Sequence, residues 1–160
     1  MPNPHAAYLA VLLILALLTG CADDRGPEQR VRSFIDQVVA SAEARAWRDF
    51  DAYLTTDFTD ARGLTRQEAL GVVMRYILGH RSIHIFHRVR EIEVLDAHHA
   101  RAVVLAALAG SPVSGPGDLA GVNADLYLFE LDLTDAGDGF QVSRGAWQPV
   151  GLEALLLGAQ

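Results

Sequence analysis

The 160-residue chain has no lysine and only one cysteine. A single thiol closes no internal disulfide, so the fold must hold without one. Its 13 basic residues are all arginine, are outnumbered by 20 acidic residues and form no cluster; the net charge is -7. Nucleic-acid binding needs a cationic footprint, and this composition excludes it. No apolar run reaches the roughly 20 residues that a transmembrane helix needs. The longest, AAYLAVLLILALL at 6–18, has 13. There is no Ser-His-Asp signature and no CxxC. The glycine-rich stretch 110–121 lacks lysine and is not followed by a helical pattern, so it does not fit a phosphate cradle. Nor is there an internal repeat at a period of roughly 20–50 residues. What is present is apolar mass: 51% of the chain is hydrophobic, which excludes a disordered polymer. The length suits one domain of the usual roughly 100–200 residues.

The apolar run suits the core of a secretory leader. The run ends on Leu18, and Thr19, Gly20 and Cys21 follow directly. This resembles the lipobox of bacterial lipoproteins: an aliphatic residue, two small residues, then cysteine. The resemblance implies a signal peptide at 1–20, cleavage before Cys21, and a diacylglycerol and further acyl chain such as palmitate on Cys21. A thiol is the soft nucleophile that such an alkylation requires. Residues 21–26 then form a linker from the lipidated Cys21, and 27–160 form the domain. The second residue after the cysteine is Ala22 rather than Asp, with Asp23 one place later. By the same resemblance the chain is expected at the bacterial cell envelope, on the inner leaflet of the outer membrane and facing the periplasm. Its membrane partner is reached through the lipid anchor.

Pro27 opens a helix at the position where a missing N–H costs nothing. Val31, Phe34, Ile35, Val38, Val39 and Ala42 then fall on one helical face. Burying its five large side chains yields on the order of 10 kcal/mol before entropy is subtracted. A shorter helix is expected around Trp47 to Leu54, followed by a turn-rich loop from Thr55 to Gly63. Thr65 and Glu68 have the spacing of a capping box, and the helix they open carries Leu70, Val73, Met74, Ile77 and Leu78. Past Gly79 the period changes to two. Ile83 and Ile85 alternate with His84 and Phe86, while Ile92 and Val94 have the opposite phase, which predicts a β-bulge near Arg88 to Glu91. Further strands are expected at Ala100–Leu108, Asn123–Thr134 and Phe140–Val150. The loop Gly110–Gly121 separates the first two of these, and the hairpin turn Asp135–Gly139 joins the last two. A short helix is expected over 152–157. Helices first and strands afterwards read as α+β.

This order, with Ala46-Trp47-Arg48-Asp49-Phe50, Gly63-Leu64-Thr65-Arg66, Ile83-His84-Ile85 and Ala146-Trp147 at their places along it, resembles the NTF2-like (SnoaL-like, cystatin-like) superfamily. The resemblance implies a cone: three N-terminal helices packed on a curved, mainly antiparallel sheet of about four strands, often with a pocket at the open end. It implies no single activity, because the fold hosts isomerases, dehydratases, docking modules and proteins without a known role.

Pocket-lining candidates are Phe34, Tyr53, Tyr76, His84, Tyr127 and Trp147. An isomerase or hydratase of ketosteroid-isomerase type needs a carboxylate among apolar walls. Tyr53, Asp57 and His84 are the candidate catalytic residues, with His87 the alternative to His84 as a pocket-lining acid or base, and Asp125 has suitable chemistry. No motif anchors them, and the first helix presents no inward tyrosine. The histidines His80, His84, His87, His98 and His99 show no convergent ligand spacing, so neither a metal nor another cofactor is expected. The reading that follows is a non-catalytic protein that binds a small apolar ligand, or docks a partner, itself included as a homodimer, through the sheet. The lipid-tethered enzyme is its alternative.

Overall fold

The computed structural model describes residues 26–156. The leader expected at 1–20 and Cys21 lie outside them. Helix α1 (Pro27–Glu43) starts with proline in its first turn and buries Val31, Phe34 and Ile35, the stripe expected from the sequence. Its end is sharp. Arg45 takes the left-handed backbone conformation at φ 59°, and Ala46 N–H donates to the Ser41 carbonyl at 2.9 Å. The Arg45 guanidinium then reaches the carbonyls of Ile77 (3.1 Å) and Arg81 (3.0 Å). One side chain thus serves unpaired carbonyls around the end of another helix.

A 3-10 turn (Trp47–Asp49) and a single helical turn, α2 (Phe50–Tyr53), follow. The expected loop after them is a strand, β1 (Leu54–Asp60). Five of its seven residues are threonine or aspartate and only Phe58 is both apolar and buried, so no alternation marks it. Its strand character comes from pairing in parallel with a strand far ahead in the chain. Helix α3 (Arg66–Gly79) opens on the capping box: Thr65 N–H donates to Glu68 Oε2 at 2.8 Å, and Glu68 N–H returns a bond to Thr65 Oγ1.

Strands β2 (His84–Val94), β3 (His99–Ala109), β4 (Ala124–Asp135) and β5 (Phe140–Pro149) complete one sheet of five strands, in the order β1-β5-β4-β3-β2. The count is five rather than about four, the extra strand being β1. All neighbours are antiparallel except β1 and β5. The bulge expected near Arg88 lies between Val89 and Glu91. A second lies opposite Asp132 and Leu133. Bulges raise local twist and bend the bulged strand, which curves the sheet around α1.

Two cores result. On the concave side Val31, Phe34, Ile35, Tyr53, Phe58, Val104, Leu133 and Phe140 pack together. On the convex side Leu105 and Ala107 are covered by Leu119, with Phe86, Val113, Val122, Leu126, Leu128 and Leu152 around them. The glycine-rich loop therefore folds back onto the sheet, and the short C-terminal helix α4 (Leu152–Leu156) joins it. Arg90 fixes α4 by donating to the Ala154 carbonyl at 3.0 Å. Beyond this cover the convex face is charged: Arg101 pairs with Asp132 at 3.1 Å and Glu93 at 3.7 Å.

The β4–β5 turn places Gly137 and Gly139 at φ 102° and 125°, where a side chain would be strained. Asp135 accepts from Gly137 N–H at 2.9 Å and from the Arg30 guanidinium. The Gly137 bond, opposed by burial and joined by Arg30, holds the Asp135 carboxyl below its usual range. A carboxyl lowered in the folded state contributes stability above its unfolded value, near 3.8, and that contribution disappears as pH falls through the folded value. The thermal midpoint is therefore expected to drop below about pH 4. Asp135→Asn should lower the midpoint at neutral pH and flatten this acid limb; parallel profiles for the two proteins would contradict the assignment.

Candidate functional site

Between α1, α3 and the concave sheet lies a cavity of about 330 Å³, within the usual range of roughly 300–1,000 Å³ for small-molecule sites. Its walls are built by periodicity. Phe34, Ile35, Val38, Val39 and Ala42 come from one stripe of α1; Val72, Val73, Tyr76 and Ile77 come from one face of α3. Ile83, Ile85 and His87 are two apart along the β2 edge, and Val104, Ala106 and Leu108 continue the pattern on β3. Tyr127, Phe129 and Leu131 from β4, with Trp147 from β5, close the far wall. No aspartate, glutamate or arginine is among the lining residues.

Phe34, Tyr53, Tyr76, Tyr127 and Trp147 all line this cavity, whereas His84 does not. His84 shares the strand phase of Phe86, which packs in the convex cluster. Asp57 is exposed on β1 and lines no part of the cavity. The Tyr53 hydroxyl is bonded to Ser41 Oγ at 2.7 Å. The set Tyr53, Asp57 and His84 is therefore not assembled as a site: one member is tied to α1 and the other two are elsewhere. Asp125 is exposed, lines no part of the cavity and acts on Tyr76 through its charge.

Of the two histidines the sequence offers as a pocket-lining acid or base, His84 and His87, it is His87 that lines the cavity. Its Nε2 lies 3.1 Å from Asp36 Oδ1 of α1, with the imidazole side chain 23% exposed and the aspartate 68% exposed. The signal was available, because His87 continues the apolar phase of Ile83 and Ile85, not the phase of His84. Asp36 needed the tertiary fold, as 51 residues separate the pair.

Two further features shape the rim. The Tyr76 ring stacks on the His80 imidazole with centroids 4.2 Å apart. Burial, then the nearby Asp125 carboxylate and Tyr127, push the Tyr76 phenol upward, so it stays a hydrogen-bond donor at neutral pH. Behind the wall, Arg62 lies over the Trp147 ring at 4.2 Å. Asp60 fixes that arginine: its buried carboxylate accepts from Arg62 Nε (3.0 Å), Arg62 N–H (2.9 Å) and Leu64 N–H (2.7 Å). Burial opposes ionisation of Asp60, but these bonds together hold its carboxyl below the usual range. Among the described residues no group of three His, Cys, Asp or Glu side chains is placed to hold a metal ion.

No protein-family model matches the chain. No curated protein matches it either. Solved structures do. A domain of unknown function with a cystatin-like fold from Nostoc punctiforme matches at TM-score 0.59 and 17% identity, over 87% of this chain and 85% of that one. A dehydratase candidate of the NTF2-like family from Streptomyces avermitilis matches at TM-score 0.60 and 13% identity, over 77% of this chain and 96% of that one. Bdellovibrio bacteriovorus Bd1075 matches at TM-score 0.60 and 12% identity over 76% of this chain, and the match spans 41% of the length of Bd1075. At such identities the likeness concerns the fold: this chain has the NTF2-like, cystatin-like architecture expected from its element order.

Proposed function

We propose that this chain is a lipid-anchored, periplasm-facing binding protein that takes up a small, largely apolar molecule without transforming it. The observation that carries this reading is a cavity walled by hydrocarbon and aromatic rings, with no carboxylate among the lining residues. An acid–base enzyme of ketosteroid-isomerase type needs such a carboxylate, raised by apolar surroundings. Docking through the sheet is the weaker reading, since the apolar part of the convex face is covered by the chain's own loop and α4. The anchor rests on Leu18-Thr19-Gly20-Cys21 after the apolar run.

A second reading, a hydratase or isomerase, is favoured by one feature: the His87–Asp36 pair beside the cavity is an imidazole with an orienting carboxylate. The dehydratase candidate among the structural neighbours is compatible with it.

The test is a titration of the full chain in lipid nanodiscs with the neutral dye N-phenylnaphthylamine, read by energy transfer from tryptophan, with empty nanodiscs as control. Trp147 lines the cavity, so a dye bound there receives its emission. Saturable one-to-one binding in the micromolar range, with the dye recovered unchanged, is the expected result. Signal no greater than that of the empty discs would remove the binding reading.

A further inference from the structure

The polar atoms around the cavity are few, and their arrangement selects a ligand. We infer that the cavity takes an uncharged apolar molecule carrying one hydroxyl or N–H group, which donates to Nδ1 of His87. This rests on the binding reading above and specifies the chemistry of its ligand.

Charge is excluded first. No side chain lining the cavity carries a fixed charge, and moving an ion out of water without a partner costs several kcal/mol or more. Anions face a further obstacle: Asp36 and Asp125 stand near the cavity, on a chain of net charge -7. A fatty-acid carboxylate or a phosphate ester is therefore a poor occupant.

The donor requirement follows from His87. An aspartate carboxylate only accepts hydrogen bonds. The nitrogen facing Asp36 is Nε2, so Nε2 carries the proton, and in the neutral imidazole Nδ1 is left with a lone pair. No hydrogen bond among the described residues engages Nδ1, nor is it among the buried side-chain atoms left without a partner. It is an accessible acceptor.

The register supplies the space. His87 pairs with Ala106, and Ala106 pairs with Tyr127. Residues paired across strands point to one face, and all three line the cavity. An imidazole and a phenol thus stand roughly 10 Å apart by backbone spacing, with only a methyl group between them. A ligand hydroxyl above Ala106 has room there to donate to His87 Nδ1.

The experiment uses three compounds of one skeleton, adamantanol, methoxyadamantane and adamantane carboxylate, titrated calorimetrically into the nanodisc-bound chain with empty discs as control. Adamantanol is expected to bind about threefold to tenfold more tightly than the ether, the range of one net hydrogen bond, and the carboxylate more weakly than both. His87→Phe should bring the alcohol and the ether to equal affinity, while His87→Gln, which keeps an acceptor, should retain part of the difference. If the carboxylate binds as well as the alcohol, or if His87→Phe keeps the full preference, the inference is overturned. If all three bind alike to the unaltered chain, the hydroxyl contact falls while the cavity reading stands. If none binds and the dye fails as well, the cavity reading itself is lost.

Discussion

Ala106→Phe is expected to abolish saturable dye binding, a loss of about 100-fold or more, while leaving the thermal midpoint unchanged or raised by a few degrees. Ala106 is buried in the middle of β3, paired with His87 on one side and Tyr127 on the other. A benzyl group placed there projects into the same space that a ligand needs. Filling an apolar void adds burial without creating a polar mismatch, and such substitutions commonly gain about 0.5–2 kcal/mol. The sign of the stability change is informative by itself. If the cavity were collapsed in solution, the added ring would overpack the core and cost about 1–3 kcal/mol, lowering the midpoint. Dye affinity within a few-fold of the unaltered chain would place the bound dye elsewhere. Ala106→Leu should fall between the two proteins in both measurements.

Features of the fold that a short window specifies were legible in the sequence. The stripe of α1, the Thr65–Glu68 box, the Asp135–Gly139 turn and the phase change near Arg88 each depend on residues within a dozen positions, and each is where it was expected. Strand β1 was not legible. Its threonines and aspartates suit a turn as well as an edge strand, and only the register with Val142, Arg144 and Gly145 decides the matter. Strand β3 is apolar on both faces for a reason no window contains: Leu105 and Ala107 are covered by Leu119 from the glycine-rich loop.

The site divides along the same line. Aromatic residues were found because large rings in a small α+β domain have few places to go, and five of the six pocket candidates line the cavity. Of His84 and His87, the two histidines the sequence offers for the pocket, the inward phase of Ile83 and Ile85 selects His87. Its partnership with Asp36 joins β2 to α1 and could be seen only with the helix laid across the sheet. The same crossing brings Glu43 Oε1 to the Ile85 N–H at 2.8 Å. This occupies a donor on the β2 edge, where an unpaired strand otherwise invites association.

Cys21→Ser is expected to reduce incorporation of labelled palmitate to background in cells where the unaltered chain is labelled. The intact mass of the unaltered protein should lack residues 1–20 and carry added acyl mass, and the protein should sediment with membranes. The size of the effect follows from the energetics of the anchor. Each buried methylene contributes about 0.8 kcal/mol, one acyl chain gives only marginal attachment, and two or more give a lasting one. Among the described residues no helix is long and apolar enough to cross a membrane. The oxygen of serine is a far weaker nucleophile than a thiolate, so the substitution removes the reacting atom while changing one side chain in the 21–26 linker. Equal labelling of the two proteins would end the anchor reading. So would an unaltered chain that keeps its first residue and carries no acyl mass. The binding reading would survive either result, because every residue lining the cavity lies between Phe34 and Trp147.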